Sequence, residues 1–346
     1  MRLHRPVGLT SRPRVSVVVP CYNYGRFLPE AVASALDQDH VDVDVLVVDD
    51  ASTDDSLAVA HRIAAADDRV EVLAHETNQG HIRTYNEGLG KVSGDYLVLL
   101  SADDLLAPNA LPRATALMEA HPEVGLVYGH APSFADVPPD VDHRPRSWSV
   151  WGPGEWLAPR ARRSRNPIYT PTAVMRTAAW SEIGAYDARL PLGADMLLWY
   201  QAGASWGVGR VNNGAQAFYR VHGANMHLTR FAGMHRDLVE QREVLRILFD
   251  DPPRGVDLDS ALRDRAHRSL ARRARRLALA SRRDLAAPDQ VDAFLRFAQE
   301  VEATAAAAVP HRATRLADGL LEHRAAAFPR RVEEHLRWRL WRRYGL

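Results

Sequence analysis

Two pairs of adjacent aspartates each close an apolar run: Asp49 and Asp50 in VLVVDDASTDD (45–55), and Asp103 and Asp104 in SADD (101–104). Neighbouring carboxylates repel one another unless a hydrogen-bonded ligand or a cation offsets their charge. Hard divalent cations such as Mg²⁺ and Mn²⁺ prefer carboxylate oxygens and commonly bind substrate phosphates as well, so carboxylate, cation and diphosphate form a natural unit. Helix capping is the alternative: Ser52, Thr53 or Asp54 would cap a helix starting near 55, and Asp103 or Asp104 would cap one in LLAPNALP. Capping needs one side chain and leaves the Asp49–Asp50 pair unexplained.

The elements that carry these residues alternate. VSVVVP (15–20), VDVLVVDD (43–50), VEVLAHE (70–76) and DYLVLLSADD (95–104) have the β-branched, apolar character of strands. Between them FLPEAVASALDQD (27–39), SLAVAHRIAAADD (56–68) and HIRTYNEGLGKV (81–92) have helical spacing. Strand and helix in turn with short connections predict right-handed βαβ units and a mainly parallel sheet flanked by helices. In such sheets ligands bind beyond the carboxyl ends of the strands. Both aspartate pairs, with Pro20, Tyr22 and Asn23, are expected at that rim.

Past about residue 124 the pattern loosens. VGLVYGHA (124–131) reads as a further strand and 136–156, rich in proline and tryptophan, as a long loop. Trp148, Trp151, Trp156 and Tyr169 serve there either as acceptor-stacking rings or as a satellite core. From about 229 the chain turns helical, with breaks expected at 250–255, Pro288, Pro310 and Pro329. The segments 266–283 and 330–346 combine arginines with Leu and Trp at helical spacing. Two uses stay open for them: packing on the rest of the chain or on a second subunit as a homodimer, or lying on an anionic membrane surface.

Composition bounds the partners. The 346 residues are 46% hydrophobic and 25% charged, ordinary values for a globular protein with room for a large core. Lys and Arg total 44 against 43 Asp and Glu, so net charge gives no argument for nucleic acid. Lys91 is the sole lysine. A single cysteine, Cys21, fits a reducing compartment, and MRLHRPVGLTSRPR has no apolar stretch of signal-peptide length, so a cytoplasmic location is expected, with peripheral contact at the inner membrane face left open.

Taken together, VSVVVPCYNYGRFLPEAVASALDQ, VLVVDDASTDDS, NQG with NEG at 78–88, and GDYLVLLSADDLLAPNAL resemble, in order and spacing, the N-terminal half of family 2 glycosyltransferases. The resemblance continues less strictly through GAYDARLPLGADMLLWYQAGA to YRVHGANMH, over roughly residues 14–228. It implies a GT-A fold, Rossmann-like, with a nucleotide-binding half (14–122) and an acceptor-binding half (123–228), preceded by a flexible N-terminus (1–13) and followed by an α-helical extension (229–346). It also implies an inverting transferase that uses a UDP-, GDP- or TDP-linked sugar and Mn²⁺ or Mg²⁺, with a glycan, lipid-linked or small-molecule acceptor.

Carried onto matching positions, the resemblance assigns Pro20, Tyr22 and Asn23 to the nucleotide pocket, the Tyr22 ring to the base, and Asp50, beside Asp49, to the base's ring N–H. Asn78, Gly80 and Asn86 belong to the same side; a plain strand-to-helix turn explains the Asn and Gly equally well. Asp103 would face the ribose or the metal and Asp104 would bind the metal; relatives often have a third aspartate where this chain has Ser101. Asp195 matches the general base and His222 a late histidine that reaches metal or diphosphate. Arg220 serves either phosphate or an acidic neighbour. Relatives often carry Arg just before the position of Asn86; here it is Tyr85, with Arg83 close enough in sequence to substitute.

Two other classes share parts of this pattern. A nucleotidyltransferase would use the same scaffold and carboxylates but needs a glycine-rich basic phosphate loop, and none follows the first strand. CYNYGRF has one glycine where a dinucleotide fingerprint needs three. A non-catalytic scaffold or binding module of the same fold is the non-enzymatic alternative, opposed by the retention of Asp50, Asp104 and Asp195.

Overall fold

The structure is a computed structural model that describes residues 1–164, 166–223, 225, 233–281 and 288–306. Its frame is a nine-stranded sheet. The N-terminal half supplies β2 (Arg14–Cys21), β3 (Asp42–Asp49), β4 (Val70–Ala74) and β5 (Tyr96–Leu99), paired in parallel in the order β5-β2-β3-β4. Helices α1 (Leu28–Leu36), α2 (Ser56–Ala66) and α3 (His81–Lys91) connect them, as the alternating pattern predicts.

Burial on both faces accounts for the continuous apolar runs. Val15, Val17 and Val19, with Val45 and Val47, pack under α1, α2 and α4 (Ala110–Ala120) on one face. Val18, Leu46, Val48, Leu97 and Leu99 pack on the other, under α3 and the later helices. A strand alternates its side chains, so only an unbroken apolar run satisfies two cores at once.

Beyond β5 the sheet continues through β10 (Val174–Arg176), β7 (Val124–His130), β11 (Gly207–Ala215), β9 (Ser147–Trp151) and β1 (Arg2–His4). β10 and β9 are the two strands that run against the rest. Because β10 is antiparallel to β5, with Val174 opposite Val98, the residues before it return to the carboxyl rim. A smaller sheet joins β12 (Ala217–Arg220) to β6 (Leu105–Leu106) and β8 (Ser133–Phe134).

The opening residues include a short edge strand, Arg2–His4, paired with Trp148–Val150. One expectation is corrected here. The segment 136–156 is not one loop, because Ser147–Trp151 is a strand in the main sheet. Trp148, Trp151 and Trp156 are 2%, 3% and 0% exposed, so they build core and none is an acceptor platform. The satellite-core alternative is the one observed, joined to the main core.

The later helices are α5 (Leu157–Ala161), α6 (Thr177–Ile183), α7 (Ala194–Ser205), α8 (Met234–Asp250), α9 (Ser260–Ser281) and α10 (Pro288–Ala306). Leu245 and Leu248 of α8, Leu270 of α9, and Phe294 and Phe297 of α10 share one apolar cluster with α7 and the sheet. In α9 the apolar positions Ala266, Leu270, Ala274 and Ala278 are turned inward, so that face packs within the chain and is not open to a membrane. Among the described residues no helix is long and apolar enough to cross a bilayer. The expected breaks at Pro310 and Pro329 and the segment 330–346 lie outside the described residues.

Gly88 marks how tightly α3 lies on the sheet: a Cβ there would sit 2.5 Å from Cγ1 of Val18 and 2.9 Å from Cγ2 of Val48. Gly88→Ala is therefore expected to lower the unfolding free energy by about 1–3 kcal/mol, and Trp156→Ala by about 3–5 kcal/mol, through overpacking and a cavity respectively. Urea midpoints at constant m-value measure both.

Candidate active site

The parallel register delivers the predicted residues to one rim. Cys21 is opposite Asp49, and Asp49 is opposite Ala74, so Tyr22, Asn23, Asp50 and His75 all leave the sheet at the same level. Asn23 and Ala51 take up the turns there with φ of 60° and 57°. Asparagine tolerates that conformation, whereas alanine adopts it at a cost that its surroundings must offset.

Asp49 and Asp50 are 1% and 4% exposed, and their carboxylates serve the local backbone. Asp49 Oδ2 accepts from the Ser52 amide at 3.0 Å. Asp50 Oδ1 accepts from the Gln79 amide at 2.7 Å and lies 2.8 Å from His75 Nδ1, while Oδ2 accepts from the Gly80 amide at 3.0 Å. Asn78 Nδ2 donates to the Asp50 carbonyl at 3.1 Å. A negative charge thus sits at the N-terminus of α3, where unpaired amides and the helix dipole favour it. His75 was not singled out from the sequence, although it ends a strand at this rim. Its Nε2 lies 3.3 Å from Glu87 Oε2 of α3.

Of the other nucleotide-side residues, Pro20 lies within β2 opposite Val48. Asn23 Oδ1 accepts from the amides of Thr53 and Asp54 at 2.7 and 3.3 Å, bracing the 52–54 turn. Tyr22 is 44% exposed at the mouth. Asn86 bonds the backbone across the chain: its Nδ2 donates to the Tyr186 carbonyl at 2.8 Å and its Oδ1 accepts from the Tyr186 amide at 2.9 Å. It fastens α3 to the loop before α7. Arg83 is exposed, about 200° around the helix from Tyr85, so it does not stand in for the missing arginine.

The second pair is organised by the other half of the chain. Asp103 and Asp104 are 7% and 2% exposed. The Arg220 amide donates to Asp104 Oδ1 at 2.9 Å, and Arg220 Nε donates to the Asp103 carbonyl at 2.8 Å. The guanidinium lies over the rings of Phe27 and Phe134 and pairs with Glu30 at 2.6 Å, so Arg220 meets an acidic neighbour. His222 Nε2 is 3.0 Å from Asp103 Oδ2, and Asn225 Nδ2 is 3.4 Å from the same oxygen. His222 packs against Phe27 and Tyr24 with centroids at 5.0 and 5.6 Å. Burial and the charge of Asp103 push the Asp104 carboxyl well above the usual range; burial also raises Asp103, against the pull of His222. Among the described residues no three His, Cys, Asp or Glu side chains converge as a metal cluster.

Asp195 lies in the first turn of α7 and is partly exposed. Its Oδ1 accepts from the Met196 amide at 2.6 Å, and its Oδ2 accepts from Asn166 Nδ2 at 2.8 Å. Burial pushes it up to about 6, against the two hydrogen bonds and with help from Asp237 of α8. Asn166 had no sequence signal, since only the tertiary fold brings its loop beside α7. The tyrosines join the two regions electrostatically. The hydroxyl of Tyr85 is raised by burial and by the charges of Asp103, Asp195 and Asp104 together; Tyr24 and Tyr219 feel Asp103 and Asp104, and Tyr186 feels Asp195.

The mostly parallel sheet flanked by helices is the GT-A fold. Residues 16–181 match the model of Glycosyl transferase family 2. An uncharacterized glycosyltransferase of Nostoc sp. is 29% identical over 223 residues, 62% of this chain and 67% of that protein. A Campylobacter jejuni GalNAc(5)-diNAcBac-PP-undecaprenol beta-1,3-glucosyltransferase is 33% identical over 119 residues, 34% of this chain and 38% of that protein. The chain thus spans between about two fifths and two thirds of the length of such relatives. Staphylococcus aureus TarS 1–349 in complex with UDP-GlcNAc has the same fold, with a TM-score of 0.60 at 20% identity over 86% of this chain and 84% of that one. So does the mannosyltransferase PcManGT of Pyrobaculum calidifontis in complex with GDP-Man and Mn²⁺, with a TM-score of 0.57 at 19% identity over 98% of this chain and 86% of that one.

The Asp50 bonds carry a direct consequence. Asp50→Ala leaves the Gln79 and Gly80 amides without their acceptor and is expected to cost about 1–3 kcal/mol. Amide exchange at residues 79 and 80 should quicken beyond the global change.

Proposed function

We propose that the protein transfers a sugar, with inversion, from a nucleoside diphosphate donor to a hydroxyl or similar nucleophile. The observation that carries this reading is the buried pair Asp103 and Asp104, 7% and 2% exposed beyond the exit of β5 and held there by Arg220 and His222 from the second half of the chain. A donor-binding carboxylate pair on one side and a lone basic carboxylate on the other is what direct displacement at an anomeric carbon requires. The donors named with the structural neighbours, UDP-GlcNAc and GDP-Man, are both nucleotide sugars and favour the same substrate class.

Asp103 and Asp104 would hold a divalent cation, Mn²⁺ or Mg²⁺. Two buried carboxylates of like charge are hard oxygen donors short of positive charge, and phosphate and water complete such a shell. Bound there, the cation would supply charge for a departing diphosphate. His222 stands behind Asp103 in this reading and orients it. Asp50 orders the amides of the 78–80 turn, and Tyr22 offers its exposed ring to the base. Asp195, held by Asn166 and Met196, takes the proton from the acceptor hydroxyl.

A base that titrates near 6 is charged above that pH, so turnover should rise through pH 6 and fall about tenfold per unit below it. Because the Asn166 hydrogen bond favours the charged form, Asn166→Ala should move this limb to higher pH. Asp195→Asn should keep donor binding and lower turnover about 10²- to 10⁴-fold. Full activity in Asp195→Asn would exclude it as the base. In a thermal-shift titration, UDP, GDP or TDP should stabilise the protein more with Mn²⁺ than without, and Asp104→Ala should remove the Mn²⁺-dependent part. No shift with any nucleotide would favour the non-catalytic scaffold.

A further inference from the structure

Tyr169 is 43% exposed, and neither the donor side nor the proposed base makes use of it. It opens a single 3₁₀ turn, Thr170–Thr172, that leads into β10. Because β10 runs antiparallel to β5, this turn stands beyond the carboxyl end of β5, and it packs on β5, β6 and β12. The backbone on both sides of Tyr169 is fixed. The Thr172 amide and hydroxyl donate to the Tyr169 carbonyl at 2.9 and 2.7 Å, and the amide of buried Ile168 donates to Asn166 Oδ1 at 3.0 Å.

The ring stands between the two carboxylate sites. Its centroid lies 5.3 Å from that of Tyr219, with the planes at 52°. Phe218 pairs with Leu105 across β12 and β6, so the next step of that antiparallel register sets Tyr219 opposite Asp104. Arg220, the following residue, donates its amide to Asp104 Oδ1 at 2.9 Å. On the other side Asn166, three residues before Tyr169, donates Nδ2 to Asp195 Oδ2 at 2.8 Å. One wall therefore runs Asp104, Tyr219, Tyr169, Asn166, Asp195.

We infer that Tyr169, braced by Tyr219, is the platform on which the acceptor stacks, and that the acceptor's reacting unit is a sugar with one apolar face. The inference rests on the transferase reading and names its acceptor class. A pyranose has a flat face of C–H groups and an edge of hydroxyls; an aromatic ring covers the face and nearby polar groups take the edge. Asn166 and Asp195 are those polar groups here. An acyl chain would need a longer apolar strip, but Ile168 and Pro171 beside Tyr169 are buried, so this segment exposes an apolar area one ring in size.

The test separates donor from acceptor. With Mn²⁺ present, hydrolysis of UDP-glucose, UDP-GlcNAc or GDP-mannose reads the donor side alone; transfer to methyl β-glycosides of glucose, galactose, mannose and GlcNAc reads the acceptor as well. Tyr169→Ala is expected to hydrolyse donor within about twofold of the wild type, while kcat/KM for the glycoside falls about tenfold, through KM. Tyr169→Phe keeps the ring and should keep transfer; Tyr169→Leu is apolar without a flat face and should behave as alanine does. An alanine or leucine variant that transfers within about twofold of the wild type, or a phenylalanine variant as impaired as alanine, overturns the assignment and leaves the transferase reading intact. So does a wild type that hydrolyses a donor yet glycosylates none of the four glycosides. A wild type that neither binds UDP, GDP or TDP nor hydrolyses any donor overturns the transferase reading, and the assignment with it.

Discussion

Two adjacent carboxylates buried at 7% and 2% exposure are the constraint around which the rim is built. Removing such charges from water costs several kcal/mol per ion unless partners replace the solvent. Arg220 supplies much of the replacement. Its amide bonds Asp104, its guanidinium bonds the Asp103 backbone, and Phe27, Phe134 and Glu30 hold that guanidinium in place. The strap runs from β12 to the exit of β5 and to α1, so the two halves of the domain meet at the carboxylates. Compensation is incomplete, since Asp104 remains pushed well above the ordinary carboxylate range.

The same dipeptide at the end of β3 is treated in the opposite way. Asp50 accepts from the Gln79 and Gly80 amides and lies against His75, so its charge is satisfied by the chain itself. That satisfaction orients α3, while Asn86 docks it on the loop before α7. One aspartate pair is held mainly by its local backbone, the other by residues from the second half of the chain.

The C-terminal helices pack against the start of α7. α8 approaches the start of α7 so closely that a Cβ on Gly193 would come within 2.7 Å of Val244 Cγ2. Leu192 donates to Glu240 at 3.4 Å, and Asp237 raises Asp195. The extension therefore bears on the orientation and basicity of Asp195, two residues beyond Gly193, as well as enlarging the core.

Alternating apolar strands and amphipathic helices determined the N-terminal half by themselves, because both cores of a parallel sheet demand continuous β-branched runs such as Val17–Val18–Val19. The same pattern set the rim, since parallel strands all end on one edge, and with it the neighbourhood of Asp49, Asp50, Asp103 and Asp104. Local sequence did not determine which hydrogen bonds those residues make. That Asp50 serves a backbone turn, that Asn86 faces Tyr186, that Arg220 meets Glu30, and that Asn166 reaches Asp195 depend on contacts across roughly 29 to 190 positions. The strand at 147–151 escaped for a related reason: its tryptophans and the prolines before it suggest a loop, and only pairing with β11 and β1 makes it a strand. Periodicity records which way a side chain points relative to its own element; whom it meets is decided when the elements pack.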